Sequence, residues 1–297
     1  MTASGAVSAG KGAITRLARA KVNLSLRVLG RREDGYHELD GLIAFAGVGD
    51  RIHVAPAETL SLELSGPFAE ALREQDDNLV LRAARRLAAH AGVDAGAMIT
   101  LDKQLPVAAG LGGGSADAAA ALQALSALWS LSPAADELYA LALELGADVP
   151  ICLYGQAAYV SGIGERIGPA PHLPKGWLVL ANPGVELSTA AVFRARPERP
   201  GHPAHRWDRA PRDVGDLARR LGQDANDLEA TARDLAPEID AVLAALGDTG
   251  GCLMARMSGS GATCFGLYAD EASADAAAAQ LAAAHASWWL RSAPLEG

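Results

Sequence analysis

The run LPVAAGLGGGSADAAAALQAL at residues 105–125 restricts this chain more than any other stretch. The alanines of the helix that closes this run are explained by close packing against a sheet. Directly before that helix, Gly110, Gly112, Gly113 and Gly114 flank Leu111 and leave the backbone bare. A helix leaves its first amides unpaired and carries partial positive charge at that end, so bare backbone there lets an anion approach several N–H groups at once. Ser115 adds a hydroxyl donor. The run is built to hold phosphate oxygens, with a purely structural tight turn as the other reading. Better-known phosphate motifs do not match: no GK[ST] follows the glycines, and GLGGGSAD does not supply GxGxxG. Neither HRD nor DFG occurs, and Asp117 stands where the last glycine of GxSxG belongs.

At 297 residues and half hydrophobic, the chain can bury a core of one large or two moderate domains, and two are expected. A net charge of −9 argues against nucleic acid as a partner, while leaving room for a local basic pocket. The first residues lack the pattern of a signal peptide, and no apolar run reaches the roughly 18 residues of a membrane span, so the chain reads as soluble and cytoplasmic. Cys152, Cys252 and Cys264 lie far apart in apolar, strand-like stretches, which favours buried thiols over a disulfide or zinc site. Oligomeric state is not legible.

After a small-residue tail expected to be disordered to about Thr15, LARAKVNLSLRVLG alternates. Val22, Leu24, Leu26 and Val28 fall on one face and Lys21, Asn23, Ser25 and Arg27 on the other, predicting a half-buried strand. Further short strands of an antiparallel sheet follow the Asp-Gly turn at 34–35. Asn78 opens and Gly92 closes an amphipathic helix; AMITLDKQLP returns as a strand, and helices are expected at about 115–128 and from Ser132 to Gly146. ADVPICLYG reads as a strand. The Pro/Gly-rich GPAPHLPKG suggests a domain boundary near 165. Beyond it come a strand WLVLANPG, a short helix at 188–195, an Arg/Pro loop at 194–213, a helix from near Asn226, two strands, an alanine-rich helix at 271–286 and a final WWL strand.

Several residues carry a chemical reading beside a bland one. Asp148 lies between the helix stop Gly146 and Pro150, where the backbone is restrained; it is either a proton acceptor or a helix cap. Lys21 and Asn23, two apart on a strand, can address one ligand, although a lysine there is ordinarily solvated. Tyr36 beside His37 suits stacking on and edge contact with a flat nucleobase, or simply packs a strand end. Asn78 is a helix cap or ligand contact, Lys103 a surface charge or ligand contact, and Phe193 core or stacking partner. The second small-residue run, MSGSGATCFG, is a hairpin turn by itself; paired with the first it suggests another backbone surface, at Gly259, pressed close to a ligand.

In chain order, ARAKVNLSL, LPVAAGLGGGSADAA and MSGSGATCF are similar to the three motifs of the GHMP family of small-molecule kinases, and the similarity runs from about 17 to 290. The resemblance implies a two-domain α+β GHMP-kinase-like fold. An ATP-binding N-terminal domain would span 15–165, and a ferredoxin-like substrate domain 166–297. It implies ATP as co-substrate, with Mg2+ held largely by phosphates and water. By this resemblance Asp148 and Lys21 are catalytic, Gly110–Ser115 cradle the phosphates, and Asn78 and Lys103 flank the adenine. AKVNLSLRVLGRREDGYHEL, DNLVLRAA, GADVPICLYG and NDLE resemble the branch of the family whose acceptor joins a cytidine diphosphate group to a methylerythritol. In that branch DGYHEL binds cytosine through Tyr36 and His37, and Phe193 is the opposite stacking face. Asn23, Thr189 and Gly259 complete the implied acceptor site, although the usual TP pair is here Thr189-Ala190. NDLE, at Asn226, Asp227 and Glu229, marks the branch without an assigned chemical role.

Overall fold

The structure, a computed structural model, describes residues 12–73, 78–94, 96–199 and 201–297; the expected disordered tail lies outside them up to residue 11. The chain forms two compact units, neither of which is a single run of sequence. One takes residues up to Ala18 with Asp50–Gln104 and Gly114–Leu153; the other takes Arg19–Gly49, Leu105–Gly113 and Tyr154–Gly297. This grouping does not follow a cut at 165, because strands β1 (Ile14–Arg31) and β2 (His37–Ala57) each contribute to both units.

In the first unit, β3 (Leu60–Ser65) runs parallel to β4 (Gly96–Asp102), and β4 antiparallel to the end of β2, with Val54 opposite Ile99. The parallel pair departs from the all-antiparallel expectation. Helix α1 (Leu79–Ala91) forms as the sequence predicts: the Asn78 side chain accepts from Val80 N–H at 2.9 Å, and Gly92 closes the helix at φ +62°. Helix α2 (Gly113–Leu128) buries every residue from Ala116 to Leu122, since alanines let it sit close on all sides. Helix α3 (Ala135–Leu145) ends at Gly146. The core is Ile52, Val54, Leu87, Ile99, Leu101, Leu122, Leu125 and Val149.

ADVPICLYG is not a strand. Residues Val149–Tyr154 form helix α4, begun by a Cys152 N–H bond to the Asp148 carbonyl at 3.2 Å. Pro150 fits because a first-turn residue has no intrahelical acceptor for its N–H.

The second unit carries β5 (Ala158–Gly162) and β6 (Arg166–Pro169), with β5 antiparallel to β2. Then come β7 (Trp177–Asn182), helices α5 (Thr189–Ala195), α6 (Val214–Leu221), α7 (Glu229–Leu235) and α8 (Glu238–Gly247), strands β8 (Met254–Met257) and β9 (Cys264–Tyr268), helix α9 (Glu271–Ala284) and β10 (Trp289–Glu296). The strand order β10-β7-β9-β8 is antiparallel throughout. With helices between β7 and β8 and between β9 and β10, this is the expected ferredoxin-like βαββαβ arrangement. Ile239, Val242 and Leu246 of α8 and Ala274, Ala277 and Leu281 of α9 pack against Val179, Ala181, Cys264 and Tyr268. Helices α6 and α8 were not legible as separate elements.

Strand β1 is buried on both faces rather than one: Lys21, Asn23 and Ser25 are 6%, 3% and 1% exposed. On that polar face Ser25 Oγ accepts from Leu42 N–H at 3.1 Å, whereas Asn23 Oδ1 is left without a partner. All three cysteines are free thiols, with Cys152 in helix α4, Cys264 in strand β9 and Cys252 outside both kinds of element. Among the described residues no helix is long and apolar enough to cross a membrane.

Candidate active site

The glycine run folds as a loop whose backbone is partly open. Gly110 and Gly112 adopt φ +75° and +61°, which glycine reaches without a steric penalty. Both are also places of close approach. A Cβ on Gly110 would meet Gly261 O at 2.8 Å and N at 2.9 Å, and one on Gly112 would meet Lys21 Cε at 3.0 Å. Lys21 therefore lies along the loop at Gly112, and its backbone N–H donates to Leu111 O at 2.9 Å. Leu111 anchors the loop with a side chain 1% exposed. Gly114 is different: a Cβ there would meet nothing within 4 Å, and the residue is exposed at the start of α2. Ser115 follows it, half-buried.

The second small-residue run lies against this loop. Ser258 Oγ donates to Gly110 O at 3.0 Å, Thr263 N–H donates to Ala109 O at 3.2 Å, and Asn23 N–H donates to Ser258 Oγ at 3.1 Å. Gly259, at φ +57°, faces Gly110 O, which a Cβ would meet at 2.9 Å, and lies beside Asn23 Oδ1. That Asn23 oxygen is buried with no hydrogen-bond partner, an arrangement that costs free energy unless a ligand donor fills it.

A cavity of 630 Å³ in the same unit collects Arg31, Tyr36, His37, Thr189, Phe193, Arg194 and Arg196 among its walls. The His37 and Phe193 rings stack with centroids 4.7 Å apart and planes 27° from parallel. Burial, together with the charges of Arg31 and Arg196, holds His37 below the ordinary histidine range. At neutral pH the imidazole is therefore uncharged and presents one donor and one acceptor. Tyr36 is 60% exposed on this wall. Phe193 is carried by α5, whose first turn is capped by Ser188, and Thr189 Oγ1 shares a 2.7 Å hydrogen bond with Ser260 Oγ. The Arg/Pro loop is tied down beyond this wall: Ala204 N–H donates to Asp40, Arg206 pairs with Asp40, and Trp207 N–H donates to the Tyr159 hydroxyl.

The first unit holds the remaining predicted residues. Asn78 caps α1. Lys103 is neither a surface charge nor open to a ligand: it is 2% exposed, and its ammonium bonds Asp50 Oδ2 at 2.5 Å and Asp117 Oδ2 at 2.7 Å. Burial pushes the Asp117 carboxyl up, against the pull of Lys103; burial alone would lower Lys103, but Asp117 and Asp50 outweigh it and raise the ammonium. Asp50 and Asp117 were not singled out as partners in the sequence. The available signal was Asp117 itself, one carboxylate within an otherwise apolar helix face. Asp148 is half-buried, directly before α4. Among the described residues no group of three or more His, Cys, Asp or Glu side chains is placed to hold a metal ion.

The chain as a whole is similar to known proteins. The GHMP kinases N terminal domain matches residues 78–156, and the GHMP kinases C terminal region matches 206–287. A 4-diphosphocytidyl-2-C-methyl-D-erythritol kinase of Parvibaculum lavamentivorans is 54% identical over 94% of this chain and 97% of its own, and that of Paramagnetospirillum magneticum 55% identical over the same shares. A crystal structure of 4-(cytidine 5'-diphospho)-2C-methyl-D-erythritol kinase superposes with a TM-score of 0.76 at 38% identity, covering 96% of this chain and all of the other. Homoserine kinase from Cytophaga hutchinsonii shares the fold alone, with a TM-score of 0.73 at 20% identity over 97% of this chain and 98% of its own. The chain belongs to the GHMP kinases and, within them, to the family of 4-diphosphocytidyl-2-C-methyl-D-erythritol kinases.

Proposed function

We propose that this chain transfers the γ-phosphoryl group of ATP to the 2-hydroxyl of 4-diphosphocytidyl-2-C-methyl-D-erythritol, a step of the non-mevalonate route to isoprenoid precursors. The observation that carries the reading is a hydrogen-bonded connection between two kinds of surface. The His37–Phe193 cavity, shaped for a base, joins the second glycine turn through Thr189 and Ser260, and that turn joins the phosphate loop through Ser258 and Gly110. Tyr36 and Phe193 stack on cytosine while neutral His37 reads its edge. Asn23 Oδ1 accepts a hydrogen bond from the acceptor, with Thr189 and Gly259 lining its path.

Phosphoryl transfer asks the protein mainly for positioning and charge stabilisation. The amides of Gly110–Ser115 hold the phosphate tail, and Lys21, alongside Gly112, neutralises charge that grows on the transferred group. Asp148 takes the proton of the attacking hydroxyl. Asn78 and Lys103 support the adenine end, Lys103 indirectly by fixing the start of α2 through Asp117. Magnesium fits this donor set as an ion carried by the nucleotide, with the Ser115 hydroxyl the side-chain oxygen the loop offers it; when bound it neutralises phosphate charge. Dependence on ATP suits a cytoplasmic enzyme.

Asp148→Asn tests the chemistry. Turnover, followed as ADP release with this acceptor, should fall about 10²- to 10⁴-fold while calorimetric ATP binding is retained. Full activity in that variant would remove Asp148 from the mechanism.

A further inference from the structure

We propose that Asn226, the first residue of NDLE, is a positioning residue for nucleotide binding that acts through the turn at 258–261; its functional part rests on the kinase reading above. The Asn226 amide is 5% exposed and fully bonded. Its Nδ2 donates to Met257 O at 2.9 Å and to Gly259 O at 2.7 Å, while Oδ1 accepts from Leu228 N–H at 3.0 Å. One side chain thus grips the entry to the turn at two carbonyls. Glu229 adds a third hold, accepting from Met257 N–H at 3.0 Å.

The turn in turn sets the phosphate loop. Ser258, wholly buried, donates to Gly110 O, and the backbone at Gly259 and Gly261 packs directly on Gly110. Ser260 reaches Thr189 in the wall of the base cavity. The motif is also laced to β1, which carries Lys21 and Asn23: Leu26 N–H donates to Ala225 O at 2.9 Å, Asp227 N–H to Leu26 O at 2.8 Å, and Val28 N–H to Asp227 Oδ2 at 2.9 Å. A side-chain amide is specifically required at 226, because only a group with two N–H donors and one acceptor satisfies all three backbone partners. The motif therefore locks β1, the turn and the loop in one register without touching a ligand itself.

Asn226→Asp keeps the shape and reverses the chemistry, setting a carboxylate oxygen against two carbonyls. Affinity for a non-hydrolysable ATP analogue, measured by calorimetry, should fall about 10- to 100-fold, the worth of two buried hydrogen bonds turned unfavourable. Glu229→Ala should weaken binding in the same direction, and Glu229→Gln, which keeps an acceptor for Met257 N–H, should restore it. Asp216→Asn, in α6 and without contact to the turn, serves as the control for a general loss of stability. Amide hydrogen exchange gives a reading that needs no ligand: exchange at 110–113 should accelerate in Asn226→Asp and not in Asp216→Asn. The proposal is overturned if Asn226→Asp and Glu229→Ala lower the melting temperature yet bind the analogue as wild type does, or if exchange at 110–113 is unchanged. Wild-type protein that failed to bind the analogue would count against the kinase reading, while the exchange result would still decide the clamp.

Discussion

Gly114 and Lys103 show how differently two residues of one motif region are constrained. Gly114 has open space where a side chain would go, so the protein's own packing does not require glycine there. Gly114→Ala, at the start of a helix, should raise stability by up to about 1 kcal/mol and yet weaken ATP binding, because the methyl group stands where phosphate approaches. Opposite signs in melting temperature and calorimetric affinity are the expected result; equal affinity would mean that the loop does not bind phosphate at this point. Lys103 is the reverse case, a residue held wholly by protein. Lys103→Met leaves two buried carboxylates without their ammonium, and denaturant unfolding should show a loss of about 3–5 kcal/mol. A loss under 1 kcal/mol would contradict the buried cluster. Asn78 as a helix cap was legible in sequence because a cap bonds a neighbour two residues away. The burial of Lys103 was not, because its partners stand 53 and 14 residues distant and a lysine before a loop looks the same wet or dry.

Elements were legible where their signals are local and periodic. Helix α1 has its cap, its apolar stripe and its closing glycine in one continuous string, and the structure follows it. Helix α4 was misread because six residues, three of them apolar and bulky with a proline among them, cannot separate a short buried helix from a strand by pattern alone. Helix α6 was hidden in a charged, proline-rich stretch; its start is fixed by Asp213 accepting from Asp216 N–H at 2.7 Å. Within it, the Arg212 N–H and then Arg220 hold the Asp216 carboxyl at about 2, well below the usual carboxylate range. A carboxyl whose pKa is depressed by folding stabilises the fold above its unfolded value, near pH 4, and loses that contribution as pH falls toward 2. Wild type should therefore melt above Asp216→Asn at pH 7, with the gap closing between about pH 4 and pH 2. A gap that is constant across this range would show that the charge on Asp216 contributes nothing.

At the scale of the molecule, the family was readable from three short strings, since two are local backbone devices that glycine and small residues must spell out and the third is an alternating strand. The grouping of the chain into units was not. A proline-rich connector at 168–176 marks a change of composition, but β1 and β2 are long enough to serve both units, and the loop at Leu105–Gly113 belongs with residues far along the sequence. Net charge likewise gave only the average: a chain at −9 still sets Arg31, Arg194 and Arg196, with Glu198, around one cavity, a lining that is net cationic. The account's central claim is a transfer between a nucleotide and one particular alcohol. Incubation with ATP labelled in its γ-phosphate, supplied with 4-diphosphocytidyl-2-C-methyl-D-erythritol or the same methylerythritol phosphate lacking cytidine, followed by phosphorus NMR, reads that transfer directly. The account predicts label as a new phosphomonoester on the 2-hydroxyl of the cytidine-bearing acceptor and little on the other; equal labelling of both, or label recovered only in ATP and inorganic phosphate, would contradict it.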